Sequence, residues 1–132
     1  MAKTVQQLDR EIADHEEREH LKRRVQKLLD KWQPVIGARV TDLRIKKMRA
    51  FASMNVREGR LWVGQSAAAL SPADLEYVVV HELVHLRLHE KGSGHDERFY
   101  EMMDHYLPSW RRRHAKLRSG DLVARPLPGM SR

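Results

Sequence analysis

Leu8, Ile12, Leu21, Val25, Leu28, Leu29 and Trp32 recur at three- and four-residue intervals and predict a helix over residues 4–33. Thr4 with Gln7 three positions on fits a capping box, and Pro34 reads as the stop. The polar middle, ADHEEREH, is expected to project into solvent. The period then shortens to two. Leu43 and Ile45 alternate with polar residues in one stretch and Leu61 and Val63 in another, with a turn through Glu58-Gly59 between them. This predicts a small, mainly antiparallel sheet of two or three strands. Ser71 as N-cap, Pro72 in the first helical position and Asp74 in the first turn open a second helix, predicted over 72–90 and ended by KGSG. A third is predicted over 96–106, with Phe99, Met102, Met103 and Tyr106 as its apolar face and Pro108 closing it. SWRRRHAKLR adds a last turn or two. Residues 119–132, with two prolines, two glycines and little periodicity, are expected to be a disordered tail. The pattern is α+β, a single domain over residues 1–118.

Composition narrows the chemistry. Hydrophobic residues make up 41% of the 132 residues, enough for one core, and charged residues 33%. There are no cysteines, which excludes disulfides and Cys-based zinc sites, so any metal rests on His, Asp or Glu. No apolar run approaches the ~20 residues of a membrane span, and the N-terminus has no signal-like apolar region. A cytoplasmic location without membrane association is expected. The net charge of +7 favours anionic partners, nucleic acid among them. Arg44, Lys46, Lys47, Arg49, Arg57 and Arg60 dominate the polar positions of the strand region. Lys22, Arg23, Arg24, Lys27 and Lys31 cluster in the first helix and are expected to be a solvated face.

The chemistry concentrates in YVVVHELVHLRLHEKGSGHDERF, residues 77–99, which holds four of the eight histidines. His81 and His85, four apart on a helix, project from one face and can share an ion. Glu82 is turned about 100° from His81 and stands beside such an ion, placed to take a proton from its water. This is the pattern of zinc hydrolases, two histidine ligands with a glutamate general base. Chance gives roughly 0.04 matches to His-Glu-x-x-His at this composition; two ordinary core or surface histidines are the alternative. A catalytic zinc commonly has three protein ligands and one open position. The third must come from beyond Gly92: His95 is preferred, with Glu97 and Glu101 as acidic alternatives. His89 lies ~12 Å along the axis from His81, too far to share its ion, and is expected to be supporting or exposed. His105 is expected at the core's rim or in solvent. His15, His20 and His114 lie in highly charged segments and suggest no role.

These residues resemble the YgjP-like metallopeptidase family, related to SprT-like and WLM zincins. Those proteins carry Tyr-Val-x-x-His-Glu-Leu-x-His-Leu, here Tyr77 to Leu86, then a His followed four residues later by Phe, here His95 and Phe99. A proline and a basic helix follow, as Pro108 and RRRHAKL do. The resemblance spans about residues 20–118 and is strongest over 77–108. It departs where Phe51-Ala52-Ser53-Met54 replaces a Trp-Gly-Ser-Cys-like segment, and in a longer spacer before His95. It implies a minimal zincin-like domain with Zn2+ on His81, His85 and His95, Glu82 as general base, and a peptide or protein substrate. It also implies a sheet-edge strand bordering the cleft, expected at residues 61–65, to which an extended peptide adds by backbone pairing. Two other readings are a zinc-dependent nucleotide phosphohydrolase, suited by the basic strands, and a non-catalytic, basic, DNA-associated zinc module.

Overall fold

The structure, a computed structural model, describes residues 2–89 and 97–118. Helix α1 spans Val5–Ile36, strands β1, β2 and β3 span Asp42–Lys46, Ala52–Asn55 and Arg60–Gly64, and a 3-10 turn covers Gln65–Ala69. Helices α2 (Pro72–Leu88), α3 (Glu97–Tyr106) and α4 (Trp110–Arg118) follow. The α+β class is as expected. KGSG, Asp96 and the segment 119–132 lie outside the described residues.

The Thr4–Gln7 capping box forms in both directions. Pro34 does not stop the helix: α1 continues one residue past Val35 and closes at Gly37, whose left-handed backbone (φ 81°) turns its N–H onto the Gln33 carbonyl. The reason is burial. Leu21, Val25, Leu29 and Ile36 form one buried stripe, and seating Ile36 outweighs the hydrogen bond that the proline cannot donate. Leu8 and Ile12 belong to the same sequence pattern yet are about half exposed, because the first turns of α1 run past the core. Within the basic cluster, Arg24 donates to the carbonyls of Ala68 and Leu70, and Lys31 pairs with Glu76, while Lys22, Arg23 and Lys27 are exposed as expected.

The sheet has the order β1-β3-β2 and is mixed: the Glu58-Gly59 turn closes an antiparallel hairpin of β2 and β3, whereas β1, the strand of Leu43 and Ile45 expected to run antiparallel to that of Leu61 and Val63, lies parallel to β3. Parallel neighbours need a crossover, and here residues 47–51 carry the chain from one edge to the other past the end of β3. Gly64 accommodates that passage. Its N–H bonds the Phe51 carbonyl, and a β-carbon there would overlap the Ala50 carbonyl oxygen. Gly64→Ala is therefore expected to cost about 3 kcal/mol, read as a shift of the urea midpoint, since a backbone carbonyl cannot swing aside as a side chain can. The order also corrects the expected edge: residues 60–64 form the central strand, and the edges are β1 and β2. Of these, β2 packs against α2.

One core joins the helices and the sheet's inner face, from Leu21, Val25 and Leu29 through Leu43, Leu61 and Val63 to Leu75–Leu88 of α2, Phe99, Met103, Trp110 and Leu117. SWRRRHAKLR forms a nine-residue helix, more than the turn or two expected, because Trp110 and Leu117 are both buried. No helix among the described residues is long and apolar enough to cross a membrane.

Candidate metal centre

Helix α2 is a core helix. Ser71 caps it by accepting the Asp74 N–H, Pro72 begins it, and every side chain from Tyr77 to Val84 is buried. It enters the core with three polar groups: Asp74, 0% exposed, His81, 1%, and Glu82, 5%. Each needs a partner, because an unmatched buried polar group costs roughly 1–3 kcal/mol.

His81 Nδ1 lies 3.0 Å from Glu82 Oε2. A carboxylate can only accept, so Nδ1 carries the proton and the Nε2 lone pair points away from Glu82. It points at His85: the two Nε2 atoms are 3.3 Å apart, with the rings nearly perpendicular. Two imidazole nitrogens each ~2.05 Å from one tetrahedral zinc would be about 3.3 Å apart. The separation, the Nε2 lone pair turned toward His85 and the carboxylate behind His81 fit a metal-binding pair held by an acidic neighbour.

Aromatic rings fix these imidazoles. Phe99 of α3 stacks on His85 (centroids 4.9 Å, 29° between planes) and meets His81 edge-on at 5.4 Å. Trp110 packs on Phe99 and anchors to Asp104 through a 2.8 Å indole hydrogen bond. One turn before His81, the Tyr77 hydroxyl lies 3.2 Å from His114 Nδ1 of α4. Burial, and then the Glu82 charge, push the Tyr77 phenol well above its ordinary value. Burial, with the Arg118 charge adding to it, lowers His114. With the phenol protonated and the imidazole neutral, Tyr77 donates and His114 accepts.

His81, Glu82 and His85 are thus brought together as the spacing predicted. His95 lies outside the described residues. Glu97 and Glu101 are exposed, and no group of three metal-ligating side chains is assembled among the described residues. His89 and His105 are exposed, within what was expected of them. His114 is the site residue that sequence reasoning missed; its signal was Trp110, His114 and Leu117 at helical spacing within a segment that reads first as basic.

A long helix, a small mixed sheet and a buried histidine-bearing helix compose a minimal zincin-like fold. The chain belongs to the YgjP-like metallopeptidase family: the profile of the YgjP-like, metallopeptidase domain matches residues 2–120. Among solved structures, the metallopeptidase zymogen of Pyrococcus abyssi abylysin aligns with a TM-score of 0.66 at 19% identity, covering 78% of this chain and 98% of that one. The metallopeptidase zymogen of Methanocaldococcus jannaschii jannalysin aligns at 0.60 and 14% identity, covering 72% and 94%. At these identities the likeness is one of fold. A search of curated proteins gives no match.

Proposed function

We propose that the protein is a zinc-dependent peptidase whose site is carried by a single domain over residues 1–118, with His81, His85 and His95 as metal ligands and Glu82 as general base. The observation that carries the proposal is the convergence of two buried-helix imidazoles, Nε2 to Nε2 at 3.3 Å, beside a buried carboxylate in a metallopeptidase-family chain. Bound zinc would supply Lewis acidity to the attacking water and the scissile carbonyl. Glu82 keeps one oxygen on His81; its other oxygen makes no hydrogen bond among the described residues and is suited to accept the water's proton and return it to the leaving amine. Phe99, stacked on His85, keeps bulk water from that side of the ring. The open edge of β2 offers the backbone groups on which an extended peptide can pair.

Elemental analysis after dialysis tests the ligand set. One zinc per chain is expected in the wild type, mostly lost in His95→Ala. A wild type that binds no zinc when zinc is offered would return His81 and His85 to ordinary core histidines. A His95→Ala protein that keeps its zinc would move the third ligand to another residue.

A further inference from the structure

A groove of about 600 Å³ opens where the residues after α1, the β2–β3 turn and the C-terminal end of α2 meet. Each segment contributes one arginine to its lining, Arg39, Arg57 and Arg87 in turn, and His89 lines it as well. No acidic side chain is among the described lining residues, and none of the three guanidinium groups makes an ion pair or hydrogen bond among the described residues. Elsewhere the fold places carboxylates between cations: Asp14 between Arg18 and Lys47, Asp42 between Arg44 and Arg60, Asp74 between Arg113 and Lys116. Here, among the described residues, like charges are gathered with no acidic side chain in the lining. Val56 and Leu86 supply an apolar lining beneath them. Guanidinium groups present planar forks of N–H donors that match carboxylates, and an incoming anion relieves their mutual repulsion.

The location selects the anion. Val56 and Arg57 follow β2 directly, so a peptide paired along the β2 edge runs on toward the groove at Asn55. His89 lies one helical turn beyond His85. We infer that this groove reads acidic side chains of the peptide substrate, so that the enzyme selects sequences rich in Asp or Glu on one side of the cleaved bond. The inference rests on the peptidase reading, and its test separates the two.

Fluorescein-labelled hexaglutamate and hexaglutamine are bound to the full-length Glu82→Gln protein and followed by anisotropy. In parallel, wild type is offered a matched pair of quenched peptides that differ only in flanking Glu or Gln. Hexaglutamate is expected to bind about tenfold more tightly than hexaglutamine, a preference that weakens as salt rises and is largely lost in Arg57→Gln/Arg87→Gln. The Glu-flanked peptide is expected to be cleaved with the higher kcat/KM. Preferential hexaglutamate binding without cleavage of either peptide would keep the groove and sink the peptidase reading. Cleavage of both peptides at equal kcat/KM, or a preference untouched by the double variant, would overturn the groove and leave the peptidase reading standing. Oligothymidylate that displaces hexaglutamate and binds more tightly through the same arginines would overturn it in favour of nucleic acid.

Discussion

Glu82→Gln is expected to keep its zinc and to lose about 10²–10⁴-fold in kcat/KM on casein or a quenched peptide, the range over which a positioned general base acts. The substitution preserves shape, and the glutamine carbonyl oxygen can still accept the His81 Nδ1–H, so the 3.0 Å contact that orients the ring survives. What disappears is a group able to carry a proton. At 5% exposure, bulk water has little access to replace it. Metal content and turnover, measured on the same preparation, separate the outcomes. Zinc retained with activity lost is the expected pair. Zinc and wild-type activity both retained would remove Glu82 from the chemistry. Loss of the zinc itself would make Glu82 chiefly the residue that holds His81, and the base would have to be sought elsewhere.

The parts of this site that were legible in the sequence are those fixed within a few residues of one another. The pairing of His81 with His85 and the position of Glu82 follow from helical geometry alone. The α2 start follows from Ser71, Pro72 and Asp74, and the α1 start from Thr4 and Gln7. What was not legible depends on distant partners. Alternation in the strands tells which face is buried but not which strand lies alongside, so the parallel β1–β3 pairing, and with it the central place of residues 60–64, came only with the structure. The demand for glycine at position 64 arises from the 47–51 crossing, whose Ala50 carbonyl lies where a β-carbon would stand, and nothing local to the strand announces it. Pro34 was read by its local rule, and the local rule lost to the burial of Ile36. His114 sits 37 positions from Tyr77 in sequence, inside a run of arginines that masks the buried face of α4. The arginine groove draws on three separate segments, each of which shows only the general basic character of the chain.

Asp74→Ala is expected to lower the free energy of unfolding by about 2–3 kcal/mol at neutral pH, a large share of the ~5–15 kcal/mol of a typical domain. Asp74 is fully buried in the first turn of α2 and is held by Lys116 Nζ at 3.1 Å and Arg113 Nη1 at 3.4 Å, both from α4. Removing one partner of a fully buried pair commonly costs ~3–5 kcal/mol. The lower figure applies because the Arg113 and Lys116 side chains are 25% and 42% exposed and recover water when the carboxylate is gone. The loss also loosens the docking of α4, which presents His114 to Tyr77. The pH dependence gives a second reading. Burial pushes the Asp74 carboxyl upward, but hydrogen bonds from Lys116 and Ser71, then the Lys116 charge and the Arg113 hydrogen bond, outweigh it and leave the group below its ordinary value. A depressed carboxyl stabilises the fold above its unfolded pKa of about 4, and that contribution is lost as pH falls through the folded value. Urea unfolding of wild type and Asp74→Asn from neutral pH down to about pH 3 should therefore show two curves well separated at the neutral end that converge in acid. A constant separation across that range would mean that the ion pair is not what Asp74 contributes, and equal stability at neutral pH would remove the α2–α4 tie as a support of the fold.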